Sequence, residues 1–273
     1  MRQEVSGFLS RLVKLEVELE SVLLLQDGGT TLIANSAFTI GLIVPSSNTV
    51  MEGDFHRGFS RPAVVATTRI FLEDVTREAE EKMIREELPS AARLIATAEP
   101  KVVVFGCTSA GSLGGIEHDA EIGRFLAQAT GAQSLTVVAA MIAALRELRA
   151  ESVAVLTPYV EDLTHSVAQC ISQAGFSVAS AAGMGITSNR AIGRVEPEEI
   201  VRFAISHLLH SPADSVFLSC TNWRAVEALP QLQATVSQRV LSSNQCCIQA
   251  VSARMRLVAR QSAEEMHRHP ARS

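Results

Sequence analysis

KVVVFGCTSAGSL at residues 101–113 and DSVFLSCTNWRAV at residues 214–226 read alike. Each runs a short apolar, β-branched segment into a Cys-Thr pair, and Cys107 and Cys220 stand 113 positions apart. A second pair, TIGLIVPSSNT at 39–49 and SVAVLTPYVED at 152–162, sets Pro45 and Pro158 at the same separation of 113. Two landmarks on one offset make an internal repeat. The apolar segments are continuous rather than alternating, as in strands buried on both faces of a parallel sheet.

Around these segments strand and helix signals alternate. Further strands are predicted at VVATTRIF (64–71), FSVASA (176–181) and RVLS (239–242). Helices are predicted over about 76–97, 118–129, 131–150, 160–174, 197–210 and from beyond RVLS to about 265, with a short one before RVLS. The expected fold is α/β: two similar Rossmann-like parallel-sheet halves related by a pseudo-two-fold, with the active site in the cleft between them. The first half is expected over 38–148 and the second over 149–273, with the C-terminal helix able to pack back on the first half. Residues 1–37 form an N-terminal helical extension in this reading. Phe8, Leu12, Leu15, Leu19 and Val22 there repeat at helical spacing before Gly28-Gly29.

Composition narrows the function classes. A chain of 273 residues with 47% hydrophobic and 19% charged residues has the make-up of a folded core, not of a disordered segment. Lys+Arg 24 against Asp+Glu 29, with no basic block, argues against a nucleic-acid partner, and 4% aromatic residues leave few stacking platforms for bases. No apolar run approaches the ~18–20 residues of a membrane helix, so no membrane association is expected. Five cysteines, an odd number, without a secretory signal point to a reducing cytoplasm rather than a disulfide framework.

The chemistry is expected at the repeated strand ends. A helix starting after Cys107 or Cys220 would offer unpaired backbone N–H groups to a carboxylate and draw the thiol toward thiolate. Thr108, Ser109, Thr221 and Asn222 add donors beside the two cysteines. The turn Ser46-Ser47-Asn48 is rich enough in donors to hold a carboxylate, and its counterpart carries Tyr159, the chain's only tyrosine. Cys170, Cys246 and Cys247 read as buried hydrophobes. His207 and His210 lack a third ligand, so no metal is expected. Gly106, Gly111, Gly114 and Gly115 are not followed by the Lys of a phosphate loop, so no nucleotide is expected either.

Taken together, VPSSNT, GCTS, TPYVEDL, GITSNRAIGRV, SCTNWRA and LSSNQ resemble the aspartate/glutamate racemase superfamily. The resemblance is strongest to its branch containing maleate cis-trans isomerase and arylmalonate decarboxylase, and it covers roughly residues 38–260. It implies a cofactor-independent isomerase acting on a small mono- or dicarboxylic acid through an enediolate-like intermediate. By resemblance, Cys107 adds to a substrate double bond, Cys220 acts as acid or base, and Asn48, Tyr159 and Asn189 contact substrate. Amino-acid racemisation and decarboxylation of a malonate are the alternatives within the superfamily. Arylmalonate decarboxylases carry glycine where this chain has Cys107, yet share the following Thr-Ser. A catalytically silent carboxylate-binding protein is the alternative outside enzymes. A homodimer is the expected assembly.

Overall fold

The computed structural model describes residues 38–59, 63–209 and 211–268, with side chains placed through residue 258. The helix expected within residues 1–37 and the side chain of His210 lie outside the described residues. One sheet contains β1 (Phe38–Pro45), β2 (Ala63–Ile70), β3 (Val102–Phe105) and β4 (Gln133–Thr136) in the order β2-β1-β3-β4, all parallel. The other contains β5 (Ser152–Thr157), β6 (Ser177–Gly183), β7 (Ser215–Leu218) and β8 (Arg239–Ser242) in the order β6-β5-β7-β8, again parallel. The two orders match, and β3 and β7 start 113 positions apart, the offset of the repeat.

Helices cover these sheets. In the first half α1 (Met51–Gly58) follows β1. After β2 come α2 (Arg77–Lys82), one wider π-turn (Met83–Glu87) and α3 (Leu88–Ala96). Next are α4 (Thr108–Ser112) and α5 (Gly115–Thr130) after β3, and α6 (Val137–Glu147) after β4. The second half has α7 (Glu161–Gln173), α8 (Asn189–Ile192), α9 (Pro197–Leu208), α10 (Ala225–Thr235) and α11 (Ser243–Arg268). Every residue of β3 and β7 is buried, which explains why both read as unbroken apolar runs. Thr76 starts α2 by accepting a hydrogen bond from the Ala79 amide, and Thr136 starts α6 in the same way with Ala139. The long α11 packs on α6 and α1 as well as on β8 and α10. No helix among the described residues is long and apolar enough to cross a membrane.

Two expectations need correction. The stretch after Gly131 is not helical from the outset: Gln133–Thr136 forms the edge strand β4 beside β3 before α6 begins. The two Cys-Thr motifs also continue differently. Cys107 stands directly before α4, whereas residues 221–224 form turns and α10 starts only at Ala225.

Candidate active site

The C-terminal ends of β1, β3, β5 and β7 converge on one small cavity. Pro45, Asn48, Leu72, Val75, Glu80, Cys107 and Ser109 line it from the first half, and Tyr159, Asn189, Cys220, Thr221 and Asn222 from the second. Its volume of about 10 Å³ holds roughly one water. The cleft is closed.

Closure comes from two loops that meet across it, exposed at Glu73, Asp74 and Thr187. The Val75 amide donates to the Thr187 carbonyl at 2.7 Å and the Asn189 amide to the Glu73 carbonyl at 3.1 Å, around an antiparallel bridge between Asp74 and Ser188. The loop around residue 188 contributes Asn189 to the wall and the loop before α2 contributes Leu72 and Val75, whereas residues 53–58 belong to α1 and do not line the cavity.

Most expected site residues gather here, and many are already tied to one another. Asn48 accepts from the amides of Val50 and Met51 at the start of α1, both at 3.0 Å, and donates to the Thr221 hydroxyl at 3.0 Å. Thr221 in turn donates to the Gly106 carbonyl at 2.9 Å. Asn222 accepts from the Thr49 amide at 2.9 Å and donates to both oxygens of Asn189, while Asn189 donates to the Ser47 hydroxyl at 2.8 Å. Three expected residues stay off the cavity wall. Ser46 and Ser47 donate to the Leu72 carbonyl, which spends their hydroxyls on anchoring the loop, and the Thr108 hydroxyl pairs with that of Ser243 at 3.0 Å.

The two thiols line the same cavity, one from each half, each 5% exposed. Burial pushes the Cys107 thiol well above its ordinary range, helped by the nearby Glu80 carboxyl and opposed by the Ala110 amide and the Ser109 hydroxyl. The same desolvation pushes Cys220 up to about 12, although the Tyr159 hydroxyl and the Asn222 and Trp223 amides donate toward its sulfur. The expected thiolate-favouring setting is therefore overturned. A few amide dipoles do not offset removal of the charged sulfur from water. Tyr159 is buried and also held above its usual range, first by desolvation and then by the neighbouring cysteines. Cys170, Cys246 and Cys247 are buried away from this cavity, and His207 is exposed.

One polar residue of the site was missed at the sequence level. Glu80 is fully buried on α2 and enters the cavity. Its Oε1 accepts from the Ser109 hydroxyl and from the Cys107 thiol, the latter at 3.9 Å, while Oε2 has no partner. Desolvation raises its carboxyl to about 8, against the lowering effect of Ser109, Cys107 and the more distant Arg77. Arg77 itself points outward and clamps Asp162 of the second half with two bonds, at 2.9 and 3.1 Å.

This arrangement has relatives. The sequence model of arylmalonate decarboxylase matches residues 40–266, most of the chain. The chain belongs to the arylmalonate decarboxylase family. Among its relatives, a maleate isomerase of Geobacillus stearothermophilus is 30% identical over 220 residues, covering 76% of this chain and 87% of the relative. The arylmalonate decarboxylase of Bordetella bronchiseptica is 26% identical over 207 residues, covering 76% and 85%. Among solved structures, a cysteine-to-serine mutant of Nocardia farcinica maleate cis-trans isomerase carries a covalently bound succinylcysteine intermediate. It superposes with a TM-score of 0.73 at 23% identity, covering 78% of this chain and 90% of its own, which establishes the shared fold.

Proposed function

We propose that this member of the family is a cofactor-independent isomerase of a small unsaturated dicarboxylate, maleate first among them. The observation that carries the reading is the pair Cys107 and Cys220, one from each half, on a single cavity. Cys107 sulfur forms a bond to one alkene carbon, and the π pair moves to the other carbon and onto its carboxylate as an enediolate. Cys220 delivers its thiol proton to that carbon, giving a succinyl adduct whose central bond is now single and free to rotate. A thiol held near 12 remains protonated at neutral pH, as a proton donor must. Donations from Tyr159, Asn222 and Trp223 then stabilise the sulfur anion it leaves behind. Return of the proton to Cys220 and departure of Cys107 sulfur regenerate the double bond in the trans form. The succinylcysteine of the Nocardia relative is the species such a sequence accumulates when interrupted.

Asn48, Tyr159, Asn189, Thr221 and Asn222 are the carboxylate contacts in this reading, exchanging bonds among themselves for bonds to substrate oxygens. The decarboxylase reading has the sequence Thr108-Ser109 in its favour. Against it, the Thr108 hydroxyl is committed to Ser243 and that of Ser109 to Glu80. The enzyme is cytoplasmic and homodimeric in the same proposal, the latter measurable by light scattering on the full chain. Incubation with maleate, D- and L-aspartate and a substituted malonate in D2O, followed by proton NMR, separates the chemistries. Fumarate formation is expected. Exchange at the α-carbon of aspartate, or loss of carbon dioxide from the malonate, would replace this reading with racemase or decarboxylase, and inertness toward all of them with a binding protein.

A further inference from the structure

The cavity wall poses a problem that its two cysteines do not solve. Addition of sulfur to a double bond needs the thiol proton to leave, and the setting of Cys107 does not release it to solvent: the sulfur is buried in a closed cleft. A group that receives this proton has to lie within reach of Sγ and to face the same cavity. Among the residues lining it, Glu80 alone carries a carboxyl, and no histidine is present.

We propose that Glu80 is the general base that takes the Sγ proton of Cys107 as that sulfur bonds to substrate. The geometry is in place, since the thiol already donates to Oε1 at 3.9 Å, a contact of the loose kind that tightens when substrate fills a site. The Ser109 hydroxyl bonds the same oxygen and fixes the carboxyl against the sulfur. Oε2, buried and without a partner, has no structural duty that explains a carboxyl at this position. The charge count also favours the pair. As the S–C bond forms, the proton passes to Oε1, the carboxylate becomes a neutral acid, and the one negative charge ends on the substrate enediolate. When the C–S bond breaks in the reverse step, the proton returns from Oε1 to sulfur. No free Cys107 thiolate has to form in the buried cleft before addition.

The ionisable groups facing Glu80 are Cys107 on the strand end, Cys220 and Tyr159 from the second half, and Arg77 on its own helix. Only Arg77 is cationic, and its guanidinium is held outward by Asp162. The dyad therefore becomes competent as Glu80 loses its proton, near pH 8.

The proposal rests on Cys107 being the nucleophile, and its test does not depend on the substrate being maleate. Cys107 in the full-length protein is alkylated with iodoacetamide between about pH 6 and pH 10, and labelling is read peptide by peptide by mass spectrometry. In the wild type, Cys107 labelling is expected to rise with an inflection near pH 8. In Glu80→Gln the rate at that pH is expected to fall at least about tenfold with the inflection moved upward, while Cys220 labelling stays within about twofold. A carboxylate acting only as a neighbouring charge predicts the opposite sign, because its removal eases ionisation of the thiol. Equal or faster labelling of Cys107 in Glu80→Gln therefore overturns the proposal. Should the variant not fold, the wild-type profile still decides: a rise without an inflection near pH 8 overturns it. With maleate, kcat of Glu80→Gln is expected to drop about 100-fold or more with KM within about threefold. Absence of maleate turnover in the wild type would remove the isomerase reading and leave the labelling result standing.

Discussion

Glu80 sits where an uncharged carboxyl is favoured, and stability has to reflect that. In the unfolded chain it ionises near 4.5, and in the folded protein only near 8. Between those values the folded state holds a proton that the unfolded state has released, so stability falls as pH rises through this window. The full effect is on the order of 4–5 kcal/mol. Glu80→Gln removes it, so the variant is expected to gain on the wild type from pH 5 to pH 8 by up to about that amount in urea unfolding. Parallel pH profiles for the two proteins would show that burial does not perturb this carboxyl. The thiols give the complementary test on activity. Cys107→Ser and Cys220→Ser are each expected to lower turnover by roughly a thousandfold or more, with the double variant hardly worse than either, because both serve one reaction coordinate. Cys220→Ser soaked in maleate is expected to carry an adduct on Cys107 with the mass of the whole acid. Full activity in Cys220→Ser would return that thiol to the role of a small buried hydrophobe.

At the scale of elements, the turn between β1 and α1 shows how a site residue can also be a structural one. Asn48 starts α1 through two accepted bonds and reaches Thr221 of the other half through a third. Asn48→Ala is therefore expected to cost about 1–2 kcal/mol of stability and to lower kcat/KM by roughly one to two orders of magnitude. Lost stability with unchanged kinetics would confine Asn48 to folding. In sequence the donor-rich turn admits either role, a helix cap or a carboxylate anchor, and the structure gives Asn48 the first. What was legible is what burial writes into composition: continuous apolar strands, the offset of 113 and the cysteines at the two strand ends. β4 was not, because its QSLT is a short polar edge strand without a β-branched run. Glu80 hid within REAEEK, which reads as a solvated face. Its signal was positional: it shares a helix face with Met83 and Ile84, three and four residues on, and Met83 is buried.

For the molecule as a whole, the closed cleft forces a prediction about motion. A cavity of about 10 Å³ cannot admit a dicarboxylate, so substrate enters only when contacts between the two halves part. Some of those contacts are buried, as between Asn48 and Thr221, but the bonds from Val75 to Thr187 and from Asn189 to Glu73 join loops that are exposed at Glu73, Asp74 and Thr187. Leu72 and Val75 seat the first loop in the core, while the second turns at Gly185, with φ at 75°, a backbone conformation that other residues rarely adopt. These loops are expected to be the entrance. Arg77 bridges the same divide through Asp162 and Ser166, and its partly exposed ion pair is worth about 0.5–1 kcal/mol, or roughly a two- to fivefold bias toward closure. Hydrogen exchange read by mass spectrometry checks this directly. Peptides spanning 71–77 and 184–190 are expected to exchange faster than the strand ends in the free protein, and to slow at least about tenfold with saturating maleate. Arg77→Ala is expected to speed exchange in both peptides together, and to raise KM by about the same two- to fivefold factor, because more of the binding free energy is then spent on closing. Exchange in these loops that ignores both the ligand and the Arg77→Ala change would mean that the halves part elsewhere, and that substrate reaches Cys107 by another route.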